Sequence, residues 1–351
     1  MRVHHIINDI CLDRGGAQRI VRFLHQGLSE HDIDSYIVAL NGTTGNLSNV
    51  ISIDCPSPYS WQAFWFVYQY LQKQCLPEDI VHGHLFPTIL YIALAAKMLR
   101  WPGRLVCTEH NTHNRRRGTI IGKLVDSQIY PAYEQIYCIS SGTKNALRGW
   151  MPDQADKLRV IENGTSLPCS QFKPRTPKNK IIIVSVGRLN KQKNYTAAIQ
   201  AMSLLRNVSV EYRIAGLGPE ETALKSLCVQ LGLTDIVKFY GYVDDIFAFF
   251  KQADVFLMPS RWEGFGLAAV EAMNTGLPVI ASSVDGLREI VDTPAPCGIL
   301  VSPDNPKEIA AAVKTLLDLK TRLIYGKNAF NRSVEFSIEK MINRYLNAYN
   351  V

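Results

Sequence analysis

Two glutamates separated by seven residues stand in the stretch Pro259-Ser260-Arg261-Trp262-Glu263-Gly264-Phe265-Gly266-Leu267-Ala268-Ala269-Val270-Glu271-Ala272-Met273. The run from Asp254 to Met258 before it reads as a strand, and the segment from Gly264 to Leu267 opens a helix. The first N–H groups of a helix have no intrahelical partner, so they can receive an anion at the helix's positive end. Glu263 falls in the loop, and Glu271 lies one turn beyond Leu267 on the same helix face. Such a constellation can hold a phosphate-bearing ligand, with amides on the phosphates, one carboxylate on another part of the molecule and the second on a diol. The plainer alternative is a helix start with an exposed Glu and a core-facing stripe.

Three further spots could do related chemistry. Arg188 and Lys193, in Val186-Gly187-Arg188-Leu189-Asn190-Lys191-Gln192-Lys193-Asn194, sit in a strand-to-helix loop. There the Arg fork and the Lys point charge could neutralise a diphosphate; the alternative is a solvated basic loop. Gly15 and Gly16, in Asp13-Arg14-Gly15-Gly16-Ala17-Gln18, let a backbone approach a ligand ahead of a helix N-terminus. The alternative there is a tight turn needing positive φ. The spacing is not Gly-x-Gly-x-x-Gly, which argues against a nicotinamide dinucleotide. His110 ends a strand in Thr108-Glu109-His110-Asn111. An Asp32-Ile33-Asp34 run imitates a metal-binding pair, but it precedes its strand and reads as a turn.

These residues need a scaffold, and the chain supplies an alternating one. Strand-like runs occur at 3–8, 35–40, 80–84, 104–108, 135–139 and 158–161, with helical patterns at 16–30, 61–75, 86–99, 119–131 and 141–150. Continuous Val/Ile-rich strands between helices mark a parallel sheet covered on both faces. Pro168, Pro174 and Pro177 crowd a short stretch that can hold neither a helix nor a central strand. The pattern then restarts, with strands at 181–187, 210–215, 237–239, 255–258, 279–281 and 298–301 and helices between and after them. The expected organisation is an N-terminal Rossmann-like domain over 1–166, a linker over 167–179, a second Rossmann-like domain over 180–335, and a C-terminal helix over 336–351 returning to the first. Ligands of such sheets bind outside the carboxyl ends of the strands, so both domains would face a central cleft.

Composition is that of a globular chain. Its 351 residues are 47% apolar and 20% charged, with a net charge of +7. That charge favours anionic partners without choosing among them. The longest apolar runs fall short of the roughly 20 residues that span a bilayer. Asp9, Asp13, Arg14 and Arg19 interrupt any signal-peptide core, so a cytoplasmic protein is expected. Eight cysteines without a Cys-x-x-Cys pair read as buried thiols in a reducing compartment. All eight histidines precede residue 114.

Taken together, Glu263 to Glu271 resembles the Glu-x7-Glu signature of retaining GT-B glycosyltransferases. The Gly15-Gly16 loop, the Gly187-Arg188-Leu189…Lys193 loop and Glu271-Ala272-Met273…Gly276-Leu277-Pro278-Val279-Ile280-Ala281 are similar to glycosyltransferase family 4 in order and spacing over essentially the whole chain. The resemblance implies transfer of a sugar from a UDP- or GDP-linked donor with retention at the anomeric carbon. It implies no cofactor and no metal. It places Arg188 and Lys193 on the departing diphosphate, Glu263 on the donor-sugar hydroxyls and Glu271 on the ribose diol. The amides of Gly264, Phe265, Gly266 and Leu267 would cradle phosphate, Tyr242 and Val243 would meet the base, and Gly15 and Gly16 would close on the diphosphate. His110 matches the family's histidine near the reaction centre. His82 and His84 match a pattern of mainly structural or cleft-lining use, and Asn163-Gly164 matches the loop entering the linker.

The acceptor expected by the same resemblance is a glycan, lipid-linked in surface polysaccharide assembly, and no nucleic-acid partner is expected. Arg100, Arg104, Arg115, Arg116 and Arg117 against a lone Glu109, near the aromatic helix bearing Trp61, Phe64, Trp65, Phe66 and Tyr68, suit a peripheral contact with an anionic inner membrane surface. A solvated face and a packed core helix are the alternative. Two other functions share the architecture: epimerisation of a nucleotide sugar, and non-enzymatic ligand binding between two lobes.

Overall fold

The structure is a computed structural model describing residues 1–11, 15–42, 47–114 and 116–350. The first half runs β1 (Arg2–Ile7), α1 (Gly16–Glu30), β2 (Asp34–Ala39), β3 (Val50–Ser52), α2 (Trp61–Gln74), β4 (Ile80–His84), α3 (Thr88–Leu99), β5 (Arg104–Glu109), α4 (Ile120–Ile129), β6 (Gln135–Cys138), α5 (Ser141–Trp150) and β7 (Leu158–Val160). The second runs β8 (Ile181–Val186), α6 (Tyr195–Ser203), β9 (Val210–Ala215), α7 (Glu221–Gln230), β10 (Val237–Gly241), α8 (Ile246–Lys251), β11 (Val255–Met258), α9 (Leu267–Asn274), β12 (Val279–Ser282), α10 (Arg288–Val291), β13 (Gly298–Val301), α11 (Pro306–Thr315), α12 (Leu319–Ser333) and α13 (Ile338–Tyr349). No described helix is long and apolar enough to cross a membrane.

The chain divides into two compact units, Met1–Gly164 with Ile338–Val351, and Thr165–Ser337. The first holds a seven-stranded sheet in the order β3-β2-β1-β4-β5-β6-β7, and the second a six-stranded sheet in the order β10-β9-β8-β11-β12-β13. All the pairings are parallel. In each sheet the order reverses once, between β1 and β4 in the first and between β8 and β11 in the second. The central strands are buried along their length, as a sheet with helices on both faces requires.

Two details depart from the sequence reading. β3 was not foreseen, because Val50-Ile51-Ser52 is too short to show a period. The proline-rich stretch is not a free connection: it straps onto the second unit. Cys169 N–H donates to Asn274 Oδ1 at 3.0 Å, Phe172 packs its ring on Phe330, and the Arg175 guanidinium donates to the carbonyls of Phe250 and Thr275. Its prolines set an irregular path, and packing then fixes that path in place. The chain changes unit at Gly164–Thr165 and again at Ser337–Ile338. α13 buries Met341, Ile342, Tyr345 and Tyr349, one helical face, in the first unit. Ile342 lies so close to Gly27 of α1 that a Cβ there would sit 1.9 Å from Ile342 Cδ1.

Candidate functional site

In the second unit the chemistry-bearing residues gather at the carboxyl ends of β8 to β11, around the reversal point of the sheet. This is where open parallel sheets bind ligands. β8 is followed by Gly187 at φ +152°, and the loop after β9 presses against it. A Cβ on Gly216, at φ +142°, would meet Gly187 O at 2.1 Å, so only glycine permits this approach. Tyr195 at the start of α6 donates to Gly187 O from below.

Lys193 Nζ lies 2.6 Å from Glu263 Oε2, with both side chains mostly buried, which joins the loop after β8 to the loop after β11. The same two loops are tied by Arg261 N–H to Gln192 O at 2.8 Å and by the Gln192 amide to Trp262 O at 3.0 Å. Arg261 and Asn194 both reach Asp304, which adds the loop after β13. Arg188 is exposed and has no side-chain partner among the described residues, so its charge is available to an incoming anion.

α9 begins at Leu267 with Gly266 as its N-cap at φ +108° and no side-chain cap. An uncapped start leaves the amides around Phe265, Gly266 and Leu267 for a ligand. Gly266 could not carry a side chain here, since its Cβ would lie 2.6 Å from Leu287 Cδ2. Glu271, on the same helix, is 1% exposed and accepts a 2.7 Å hydrogen bond from Thr165 Oγ1. Its carboxylate is therefore held from within the unit, where the sequence reading left it open. Tyr242, after β10, is 66% exposed and Val243 half-buried beside it. An exposed aromatic ring next to a strand end is a surface on which a planar base can stack.

The first unit holds the remaining candidates. Gly15 and Gly16 are exposed at the start of α1, which also lacks a side-chain cap. Gly15 has φ 164°, extended backbone open to any residue, so no positive-φ turn operates there. Asp13 and Arg14 lie outside the described residues. Asp32, at φ 59°, forms the turn into β2. His110 is 7% exposed at the end of β5, and burial lowers its pKa to about 4, with Glu109 opposing. Glu109 itself is spent elsewhere, accepting from Tyr130 Oη at 2.8 Å and Asn111 N–H at 3.2 Å and pairing with Arg117 at 3.0 Å.

Sequence reasoning missed what lies behind His110. His84 Nδ1 is 3.2 Å from His110 Nε2, and His84 Nε2 is 3.1 Å from His5 Nδ1. Beside this line, His82 Nδ1 meets Tyr349 Oη at 2.6 Å and His82 Nε2 meets Thr108 Oγ1 at 2.7 Å, which in turn reaches Tyr345 Oη at 3.1 Å. The partners come from β1, β4, β5 and α13, which only folding brings together. The alternation His82-Gly83-His84 was the available signal, since period two puts both rings on one face of β4. Among the described residues, His5, His82 and His84 also form one group of potential metal ligands. Both His82 nitrogens are already committed to hydroxyls, so the set is not a ready metal site.

The basic patch also looks different once folded. Arg116 pairs with the fully buried Asp126 at 3.0 Å and lies over the Phe86 ring, Arg117 pairs with Glu109, and Arg104 pairs with Glu134. Arg115 lies outside the described residues. Much of the patch is thus neutralised internally. Exposed apolar side chains follow it directly in sequence, Ile120 at 82%, Ile121 at 76% and Leu124 at 63% on α4, and Trp61 on α2 is 73% exposed.

Comparison with known proteins agrees with this geometry. Residues 169–332 match the family model described as glycosyl transferases group 1, and residues 14–167 match the model described as glycosyltransferase family 4. An uncharacterized glycosyltransferase of Methanocaldococcus jannaschii is 32% identical over 296 residues, covering 78% of this chain and 75% of that protein. The Escherichia coli UDP-Gal:alpha-D-GlcNAc-diphosphoundecaprenol alpha-1,3-galactosyltransferase is 27% identical over 308 residues, covering 81% and 77%. Among solved structures, a glycosyltransferase from Rickettsia africae superposes with a TM-score of 0.84 at 19% identity, covering 99% of this chain and 98% of that one. HepE from Anabaena, solved with UDP-glucose, superposes with a TM-score of 0.84 at 17% identity over 100% of both chains. At such identities the likeness to solved structures speaks for the fold alone. Family models over both halves, the archaeal relative and the paired parallel sheets lead to one conclusion: the chain belongs to the family 4, group 1 glycosyltransferases and has their GT-B architecture of two Rossmann-like domains.

Proposed function

We propose that this glycosyltransferase moves a sugar, with retention at the anomeric carbon, from a UDP- or GDP-sugar to a lipid-linked glycan in surface polysaccharide assembly. The observation that carries the reading is the Lys193–Glu263 pair beside the exposed Arg188 and the uncapped start of α9, all at the carboxyl ends of β8 and β11. In this reading Arg188 and Lys193 take the diphosphate with the amides of Gly264, Phe265, Gly266 and Leu267. Glu263 takes the donor-sugar hydroxyls, Glu271 the ribose diol, and Tyr242 with Val243 the base. The family resemblance assigns Gly15, Gly16 and His110 to the same reaction. The Escherichia coli relative's name supports a UDP-sugar donor and a diphosphoundecaprenol-linked acceptor.

The chemistry proposed is direct same-face exchange. The bond from the anomeric carbon to the phosphate oxygen breaks, the acceptor oxygen bonds to that carbon, and the acceptor's proton passes to the departing phosphate. Charge develops on the diphosphate, so fixed cations and helix amides aimed there lower the barrier by electrostatic preorganisation. No metal or other cofactor is assigned to the step.

Thermal shift against a panel of nucleotide sugars, followed by product analysis with lipid-linked acceptors, tests the reading. A donor at 100 times its Kd should add about 2.7 kcal/mol of stability. No response to any nucleotide sugar would overturn it.

A second element of the proposal is peripheral attachment at the cytoplasmic face of the membrane. It rests on the exposed Ile120, Ile121, Leu124 and Trp61 more than on the arginines. Flotation with anionic vesicles should carry the wild-type chain upward. The triple change of Ile120, Ile121 and Leu124 to Ser should leave it at the bottom; equal flotation of both would remove attachment through α4.

A further inference from the structure

His5, His84 and His110 form a single file of imidazoles. The contacts are His5 Nδ1 to His84 Nε2 at 3.1 Å and His84 Nδ1 to His110 Nε2 at 3.2 Å. His5 and His84 are fully buried and His110 is 7% exposed. Burial holds all three neutral, His5 at a pKa of about 3, His84 well below its usual value and His110 at about 4.

A neutral imidazole has one N–H and one lone pair. Two successive contacts along three such rings can therefore be satisfied in only two ways. Either every ring carries its hydrogen on Nδ1 and the donors all point towards His110, or every ring carries it on Nε2 and they all point towards His5. The end of the file decides between them. His5 Nε2 is buried with no hydrogen-bond partner among the described residues. In the second arrangement it would be a buried N–H with nothing to receive it. In the first it is only an unused lone pair, and orphaned buried N–H groups are the rarer and costlier case. Glu109, the carboxylate whose charge acts on His110, is committed to Tyr130, Asn111 and Arg117.

We propose that His84, backed by His5, is a positioning residue that holds His110 as its Nδ1–H tautomer, so that His110 offers a substrate oxygen a hydrogen-bond donor and not a base. The proposal deepens the functional reading above and rests on it for the identity of the substrate, a hydroxyl-rich sugar donor. The tautomer itself does not depend on that reading. One ring nitrogen's hydrogen bond sets which of the two carries the proton, and here the setting group is a second histidine.

Long-range proton–nitrogen correlation spectra of the 15N-histidine-labelled full chain at neutral pH read the tautomer directly. We expect His110 protonated on Nδ1 and bare on Nε2; a His110 proton on Nε2 overturns the proposal, whatever the enzyme's substrate. His84→Asn places an amide N–H near the position of Nδ1 and should keep both the tautomer and turnover within about 3-fold. His84→Leu removes the donor, and kcat should fall about 10- to 100-fold with little change in KM for the nucleotide sugar. Equal losses in the two variants would show a packing role only and overturn the proposal. Should the variants fail to fold, the wild-type spectrum still decides. If the spectrum is as expected but no nucleotide sugar is turned over, the functional reading fails and the tautomer assignment stands.

Discussion

Lys193 Nζ and Glu263 Oε2 are 2.6 Å apart, a cation from the loop after β8 held against a carboxylate from the loop after β11. In the proposed reaction the pair must open its charges to the donor, Lys193 to the diphosphate and Glu263 to the sugar. Lys193→Met should lower kcat by about 100- to 1000-fold, the loss seen when one group stabilising a developing anion is removed. Glu263→Gln keeps the shape and removes the charge. Turnover near normal in that variant, measured by steady-state kinetics, would strip Glu263 of its assigned role.

Thr165 holds Glu271. Its Oγ1 donates at 2.7 Å to a carboxylate that is 1% exposed. Thr165→Val keeps the volume and deletes the donor, leaving a buried charged acceptor short of one bond. Stability should fall by about 1–3 kcal/mol. If Glu271 grips the ribose, donor KM should also rise while kcat changes little. A Val variant as stable as wild type by denaturant titration would show that Thr165 does not hold the carboxylate.

Arg116 belongs to the fold before it belongs to any surface. It pairs at 3.0 Å with Asp126, which is fully buried and donated to by the Trp150 indole at 2.8 Å. Arg116→Ala would strand that carboxylate and should destabilise by about 3 kcal/mol. The loss should be the same with and without anionic vesicles. A large vesicle-dependent effect, with unchanged stability in solution, would return Arg116 to the membrane.

The histidines make the first unit acid-sensitive. Burial lowers the pKa of His4, His5, His25, His82, His84 and His110, to about 3 for His5 and about 4 for His110. The unfolded chain would protonate near 6.5, so between that pH and the folded values it binds more protons than the native state. Stability contributed by these groups is complete above about pH 6.5 and is lost as pH falls towards 4. The second unit has no histidine. Amide exchange followed from pH 7 to 5 should show protection falling first in β1, β4 and β5. An equal loss in both units would refute this account.

Much of the architecture was legible because its signals are local. Short Val/Ile-rich runs between helical patterns marked twelve of the thirteen strands, and the exception, β3, has three residues and no period to read. The strand-end position of Glu263, Arg188, Lys193 and His110 followed from the same pattern. The strapping of 167–179 onto the second unit was not legible, because its contacts to Asn274 and Phe330 span about a hundred residues and more.

By itself the sequence determined the two parallel sheets, the residues at their carboxyl ends and the family. Each of these is written in residue types at short spacing, where sterics and periodicity act directly. Only the tertiary structure decided which charges are spent and which are free. Arg116 and Arg117 are neutralised inside the unit while Arg188 is exposed, and Glu271 is held by Thr165. It also decided that His5, His84 and His110 stand in file. Pairing of charges and hydrogen bonds depends on distances of about 3 Å, and only the packing of strands far apart in the chain sets those.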